Sequence, residues 1–342
     1  MWNASLCDFC GDCLARCRYV DYDREQASRE IRLLSEGREA GILNHCITCI
    51  ACNSYCPTGA DPADLIFTMQ EKTGNSPIVG GYASIREEIA RGLEGEGDPI
   101  QVIPGDPEKP ALSFDGFEFD QFPPGTMESC LFEGMTMVRG PELMSLTGMV
   151  HLGGASFTSR YAEGVIKKLA ELEKEIVYIH NEGYILAHKR APELGIDVPF
   201  RYRHLFEHLI DYLRDHEDRI TPLNRKVAYH ANCAVRWLPE QEPWLDEIFE
   251  LVGVERPPRR YERENALCCS VPIITVNKEM AVEMQEKNVR DAVECGAEAL
   301  ITICPVCDAV LRRPTARFGL PKIFITDLCR MALGETDWPG RA

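Results

Sequence analysis

The sequence has no long apolar run, and no stretch approaches the roughly 20 residues that a bilayer-spanning helix needs. It also lacks the start of a secretory leader. Met1-Trp2-Asn3-Ala4-Ser5-Leu6 carries neither a basic region nor an apolar core, so no signal peptide is expected. Positive charge is scarce: 37 Lys and Arg face 54 Asp and Glu, for a formal net charge of -17. Such a surface repels phosphate backbones and anionic lipid, which argues against nucleic-acid binding and against direct membrane insertion. No Gly-rich dinucleotide fingerprint follows a strand, so the chain brings no nucleotide-binding turn of its own. The expectation is a soluble, cytoplasmic protein whose 342 residues suffice for two or three domains.

What the sequence does have is cysteine, 16 in all, and they are grouped. They are too few for a disulfide scaffold in a chain this long and too clustered for chance, which points to metal in a reducing compartment. From Cys7 to Cys56 the spacing C-x2-C-x2-C-x3-C occurs twice: Cys7, Cys10, Cys13, Cys17, then Cys46, Cys49, Cys52, Cys56, closed by Pro57. Three closely spaced thiolates on a tight loop reach three irons of a cubane cluster. The fourth cysteine of each run, leaving on a helix, serves the other cluster. On that logic Cys7, Cys10, Cys13 and Cys56 hold one 4Fe–4S cluster, and Cys46, Cys49, Cys52 and Cys17 hold a second. Zinc sites, which favour paired C-x2-C, and disulfides are the lesser alternatives.

Along the chain, the polar insert 21–43 between the two runs predicts a helix or two that separates the cluster loops. Asp61-Pro62 reads as an acidic N-cap with Pro at the first helical position, opening a helix to about Lys72 that Thr73-Gly74-Asn75 ends. Residues 84–93 fit one amphipathic helix. The Gly- and Pro-rich stretch 95–125, with Phe114, Phe117, Phe119 and Phe122, reads as an ordered connector whose aromatics lie on the surfaces of neighbouring domains.

Two α/β segments follow. In the second, Lys226–His230 is a strand leading to Cys233, a helix covers 278–295 up to Gly296, and Ala299–Ile303 is a buried strand ending at Cys304. In the first, Gly153-Gly154 precedes a helix over 161–173, and the strand Ile176–Ile179 ends at His180. Functional residues at the carboxyl ends of strands are the doubly wound arrangement, used here twice. The second segment carries Cys233, the pair Cys268-Cys269, and Cys304-Pro305-Val306-Cys307. Five thiols on three loops exceed what a cubane cluster or a tetrahedral zinc needs. Buried free cysteines are the bland alternative.

The pattern C-x34-CC-x34-C-x2-C resembles the CCG domain of the heterodisulfide reductase catalytic subunit family, whose relatives include iron–sulfur subunits of glycolate oxidase and thiol–fumarate reductases. The resemblance implies an α+β multidomain chain: an α-helical two-cluster ferredoxin domain at 1–75, a connector at 76–125, a degenerate CCG lobe at 126–220 and a cluster-binding CCG lobe at 221–342. It implies further that Cys233, Cys268, Cys269, Cys304 and Cys307 ligate one noncubane 4Fe–4S cluster, with Cys268 and Cys269 the candidate catalytic residues. The cofactors are then two cubane clusters and one noncubane cluster. The partner is a flavoprotein or another redox subunit of a larger complex.

The sequence departs from the family twice. The first lobe has lost its ligands: His151-Leu152 stands for the cysteine pair, His180-Asn181-Glu182-Gly183 for C-x2-C, and Met135 for the leading cysteine. A rival reading makes Cys130, His151 and His180 a zinc site. In the second lobe Ser270 replaces the motif's glycine, where a positive φ or a close backbone approach is expected. Cys295, Cys329 and Cys130 read as packing residues, and His230, three residues before Cys233, as a strand-end histidine, with protonation of a sulfur or a bound thiol as the lesser alternative. Arg16 and Arg18 flank Cys17, either as charge near a cluster or as surface. The expected function is an electron-transfer subunit. The alternatives are a thiol–disulfide reductase acting at the single CCG cluster and a partner-docking assembly subunit.

Overall fold

The computed structural model describes residues 1–340. Its first part is helical and built around the two cysteine loops: α1 (Asp12–Ala15), α2 (Arg24–Ser35), α3 (Ala51–Tyr55) and α4 (Pro62–Thr73). Helix α2 fills the insert between the runs. Asp23 caps it by accepting from the Gln26 backbone N–H, and Ala27, Ile31 and Leu34 bury one stripe at helical spacing. Helix α4 ends at Gly74 in the left-handed region, as expected. Its opening differs from expectation, because Asp61 is itself left-handed and caps nothing. Asn53 on α3 does that work, its Oδ1 accepting from Ala63 N at 2.9 Å while its Nδ2 donates to Asp61. The freed Asp61 carboxylate pairs with Lys189 at 2.9 Å. Helix α5 (Ala83–Arg91) lies on the surface.

A first sheet follows, made by β1 (Gln101–Ile103), β2 (Ala111–Ser113) and β3 (Thr136–Arg139). After α6 (Phe157–Ala170) come β4 (Ile176–Tyr178), α7 (Asn181–Ile185), α8 (Ala191–Glu193), β5 (Tyr202–His204) and α9 (Leu205–Asp215). The strand order is β1-β3-β2-β4-β5, with β1 antiparallel and the rest parallel. The stretch expected to be a connector therefore contributes two strands, and β2 is central, Ala111 standing between Thr136 and Ile176. Its aromatics are core rather than coat. Phe114 is fully buried, edge-on to Phe119 at 5.0 Å and Phe122 at 4.8 Å, and Phe122 meets Phe324 of the other lobe at 5.8 Å. A three-residue strand flanked by Gly105, Pro107, Pro110 and Gly116 is too short to show a hydrophobic period, which is why the sequence hides it.

The second sheet is carried by β6 (Arg225–Tyr229), α10 (Gln241–Leu251), β7 (Val254–Glu255), α11 (Lys278–Glu294), β8 (Ala299–Thr302), α12 (Pro305–Arg317), β9 (Lys322–Phe324) and α13 (Ile325–Ala332). All its strands are parallel, in the order β7-β6-β8-β9. With β2 counted as the first strand of its lobe, both sheets have the order 2-1-3-4, and β1 is an added edge. In such sheets the ligand crevice opens at the carboxyl ends of the first and third strands, where the crossovers diverge. Here those strands are β2 and β4 in one lobe, β6 and β8 in the other.

The inner strands β2, β4 and β8 are buried along their whole length, so their apolar runs are continuous rather than alternating. Along β4, Ile176 and Tyr178 pack toward the helical part, while Val177 packs into a core shared with Val227, Tyr229 and Ile301 of the second lobe. The first lobe is thus clamped between the helical part and the second lobe. No helix among the described residues is long and apolar enough to cross a membrane. Because Phe114 stands at the centre of the aromatic contact, Phe114→Ala is expected to lower the unfolding free energy by about 3–5 kcal/mol, measured by chemical denaturation of the intact chain. A loss within experimental error of zero would mean that the aromatics at 114–122 do not carry the core.

Candidate metal centres

The two cysteine loops share one backbone recipe. In the first, Phe9 and Gly11 have φ of 58° and 82°; in the second, Thr48 and Ile50 have φ of 59° and 64°. Each loop therefore turns left-handed on both sides of its second cysteine before a short helix begins. Successive amides in such turns make concavities suited to anions. A β-branched Ile at positive φ is a true outlier, of the sort found where surrounding structure enforces it. Gly11 has no such latitude, since a Cβ there would collide with the Arg24 carbonyl oxygen.

The thiols sort into groups. Burial pushes Cys13 up to about 12, and the charges of Cys56, Cys7 and Cys10 add to it. Burial pushes Cys17 up to about 11, with Cys49 as its charged neighbour. Cys46 and Cys52 are raised by burial and then by the thiols of the second loop and Cys17. Cys56 thus keeps company with the first loop and Cys17 with the second. No disulfide joins any of the cysteines in the described residues.

The second loop abuts the second lobe. Cys17, Cys46, Cys49 and Cys52 line one small cavity together with Tyr19, Arg236 and Cys268. Arg236 ties the two sides, donating to Cys49 O at 3.0 Å and to Ala266 O at 2.6 Å. Arg16 stacks on Tyr55 at 4.2 Å and pairs with Glu264 at 3.1 Å, and Arg18 donates to Asn265. Both arginines therefore fasten the helical part to the second lobe.

In the second lobe Cys268, Cys269, Cys304 and Cys307 form one buried cluster, against which Cys49 packs. Cys304 caps α12 and Cys307 sits in its first turn, where the helix dipole favours thiolate. The sulfurs share protons unequally. Hydrogen bonds from Cys268 and Cys307 pull Cys269 well below the usual thiol range, and one from Cys307 does the same for Cys304. Their partners Cys268 and Cys307 are pushed up correspondingly. Ser270 has φ 65°, the left-handed conformation that glycine adopts most easily, and its N–H donates to Cys268 Sγ at 3.3 Å.

Facing these thiols is the first lobe, across a cavity of ≈ 210 Å³. Cys233 stands four residues beyond β6; the matching place beyond β2 is Phe117, preceded by Asp115 and Gly116, and all three line the cavity. Met135 is not the counterpart of the leading cysteine. It precedes β3, the match of β7, and is buried in the core. His151 does stand where the cysteine pair would be, with Gly153 left-handed as Ser270 is, and His180 stands where Cys304 would be. Cys130 lies elsewhere, accepting from Arg219 near Tyr212, so it cannot join His151 and His180 on one metal.

Each of the three histidines singled out from the sequence is set against a cysteine. His151 Nε2 lies 2.9 Å from Cys233 Sγ, its Nδ1 sharing a hydrogen bond with Thr48 Oγ1 at 3.0 Å. A ring nitrogen of His230 lies within 4.8 Å of Cys269 and Cys307 sulfurs, and Glu182 is as close to His151 and Cys233. Burial opposes charge on His180, but Cys304 outweighs it and raises the imidazole to about 9. His180 Nδ1 lies 3.8 Å from Asp115, whose carboxyl burial lifts to about 7. Asp115 was missed because it falls in the stretch taken for a connector. The available signal was the run Leu112-Ser113-Phe114-Asp115-Gly116, which parallels the approach to Cys233.

Residues 227–312 match the cysteine-rich CCG domain, so the chain carries a CCG domain, and its partial similarity to heterodisulfide reductase supports an iron–sulfur protein of that kind. In particular it is similar to one of the subunits of dihydromethanophenazine:CoB--CoM heterodisulfide reductase from Methanosarcina barkeri, at 28% identity over 120 residues, 33% of this chain. Its counterpart from Methanosarcina acetivorans matches equally, and the chain spans 29% of the length of these curated relatives. A crystal structure of a hypothetical protein from Helicobacter pylori shares the fold, with a TM-score of 0.52 at 13% identity over 92% of this chain and 65% of that one.

The Ser270 backbone gives a direct check. Ser270→Gly removes left-handed strain worth about 1 kcal/mol and should raise thermal stability with iron content unchanged. Ser270→Val, β-branched in a fully buried left-handed site, should lower both. Equal melting temperatures across the wild type and both variants would show that the turn bears no strain.

Proposed function

We propose that this chain is the electron-transfer subunit of a heterodisulfide-reductase-like oxidoreductase complex, working with a flavoprotein or another redox subunit. Cys7, Cys10, Cys13 and Cys56 would hold one cubane 4Fe–4S cluster and Cys46, Cys49, Cys52 and Cys17 a second. Cys233, Cys268, Cys269, Cys304 and Cys307 would hold a noncubane cluster. When bound, these groups supply one-electron transfer. The donor sets suit them: the thiols stand in close, unbridged groups, and burial disfavours the charged form of Cys13, Cys17, Cys46, Cys52 and Cys233, so an adjoining cation would be what holds them as thiolates. The domain division proposed is a ferredoxin-like part up to about residue 75, then two lobes of which the first begins with β1.

The observation that carries the reading is contiguity. Cys56 neighbours the first loop, Cys52 neighbours Cys13, and Cys49 packs against the CCG cysteines. The chain's own part is to hold three thiol sets in a row and to keep water from the last two. The first lobe, lacking cysteine at all its counterpart positions, holds no cluster and forms the wall opposite the CCG set.

A second reading, thiol–disulfide reduction at the CCG site, is favoured by one feature. The cavity beside Cys233, Cys269, Cys304 and Cys307 has an apolar wall of Phe117, Met144, Met149 and Leu152, which a pure relay does not need. A disulfide bound there would take two electrons and two protons and leave as two thiols.

Metal content tests the first reading. Anaerobically purified chain should carry about twelve iron and twelve acid-labile sulfide, four per cluster; about eight, with cubane spectra only, would remove the CCG cluster. Cys17→Ser should damage the cluster held by the second loop, and Cys56→Ser that of the first. Damage confined to each residue's own run would overturn the crossed arrangement. To separate relay from reductase, the reduced chain is offered a disulfide panel and, in parallel, its co-purifying partner. Slow disulfide turnover with rapid reoxidation by the partner is expected. Brisk turnover abolished by Cys269→Ser, with the cubane clusters intact, would make the chain a reductase.

A further inference from the structure

His230 is held in a way that a strand-end histidine does not require. It follows β6, is 1% exposed, and its backbone N–H donates to Ile301 O at 2.9 Å, which already satisfies the strand. Its side chain is engaged separately. Nδ1 lies 2.9 Å from Asn288 Nδ2 on α11. Asn288 has no freedom to turn its amide over, because Oδ1 accepts from Arg259 Nη1 at 3.0 Å. Arg259 is itself anchored, donating to Tyr229 O at 2.7 Å and to Asp291 at 3.2 Å. Asp291 is held in turn by the backbone N–H groups of Tyr261 and Arg260.

The chain of bonds has one consistent assignment. An arginine only donates, so the Asn288 oxygen faces Arg259 and its NH₂ faces His230. Nδ1 of His230 then accepts and carries no proton, and the neutral ring holds its proton on Nε2. Nε2 is buried and meets no acceptor at hydrogen-bond distance among the described residues. With Nδ1 occupied, it is the nitrogen turned to Cys269 and Cys307, the sulfurs within 4.8 Å. A buried N–H without a partner is costly, and the groups facing this one are sulfurs.

We propose that His230 is a positioning residue for the CCG centre: Asn288 and Arg259 aim its Nε2–H at Cys269, with Cys307 beside it, and the hydrogen bond it makes to a ligand sulfur once the cluster is bound raises that cluster's reduction potential. The proposal rests on the reading that the CCG cysteines bind an iron–sulfur cluster. A donor to a ligand sulfur draws off negative charge and favours the reduced, more negative state, one of the means by which proteins set such potentials. The effect is to make the inner end of the thiol series the better electron acceptor.

The test is a redox titration of the loaded chain, followed by electron paramagnetic resonance of each cluster, on wild type, His230→Phe, His230→Gln and Asn288→Asp. Asn288→Asp is nearly isosteric and keeps the Arg259 contact, but it replaces the donor to Nδ1 with an acceptor. The ring proton then moves to Nδ1, leaving a bare nitrogen toward the sulfur. His230→Phe and Asn288→Asp should each lower the reduction equilibrium constant of the CCG cluster about tenfold, about 59 mV for one electron. His230→Gln, which keeps an N–H, should recover part of the shift, and the cubane potentials should not move. Wild type should also show an exchangeable proton coupled to the CCG cluster, lost in both lowering variants.

An unchanged CCG potential in Asn288→Asp, with the cluster assembled, overturns the proposal even if His230→Phe fails to load. Wild-type protein with only cubane signals overturns instead the reading beneath it.

Discussion

Everything in this molecule depends on placing thiolates where water cannot solvate them. Buried anions in close groups repel one another, and the charges of neighbouring thiols add to burial in raising Cys46, Cys52 and Cys233. The chain answers with fixed local positives: left-handed turns that present amides, the amino end of α12 under Cys304 and Cys307, the Arg236 guanidinium, and imidazoles against Cys233, Cys304 and Cys269. None of these neutralises a full set of sulfurs, so an added cation completes the balance. That is the physical content of the iron–sulfur assignment, and it explains the toleration of strain at Ile50 and Ser270. The backbone bends to the sulfurs rather than to its own preference.

The two lobes are alike in strand order and unlike in what they bring to the cavity between them. Both keep the 2-1-3-4 strand order and both aim the ends of their first and third strands at the same cavity. A lobe retained only as scaffold would fill those places with apolar side chains. The first lobe instead brings Asp115, His151, His180 and Glu182 there, and the buried side-chain atoms of Asp115 and His180 face each other at 3.8 Å without a hydrogen bond among the described residues. Unpaired buried polar groups are expensive. The first lobe thus faces the CCG cysteines with a partly polar wall.

Much of this was legible in the sequence, for reasons that differ by element. The cysteine loops were readable because metal ligation imposes spacing that tolerates little variation. The strands ending near His230 and Cys304, and the helix between them, were readable because they are long enough to show period and end in Gly296. The opening of the first lobe was not. β2 has three residues between prolines and glycines, and only its pairing with β3 and β4 makes it a strand. With β2 hidden, the leading position of the first CCG site slid to Met135, one strand too late. Asp61 was misassigned for a related reason: its helix is capped by Asn53, a residue eight positions away on a different helix. The three histidines were visible as possible neighbours of cysteine, but nothing in their spacing shows which sulfur each faces: His151 was grouped with Cys130 and lies against Cys233.

The order of the thiol groups gives the chain two unlike ends. Cys10 is exposed and Cys7 half-buried, on loops at the outer side of the helical part. Next come Cys17, Cys46, Cys49 and Cys52, enclosed together with Tyr19 and Arg236. Last are Cys268 and Cys269, buried, with their free side toward the cavity. Exposure is greatest at the first of these, where Cys10 reaches the surface, and least at the CCG pair. The same packing carries mechanical linkage. Thr48, one residue before Cys49, touches His151 of the first lobe, which touches Cys233 of the second. Arg236 holds the Cys49 carbonyl to the strand-end loops from the other side. Any shift of the second cysteine loop is therefore felt at the ring of His151 and at Cys233. The helical part with its cysteine loops and the cavity between the two lobes are therefore parts of one packed body.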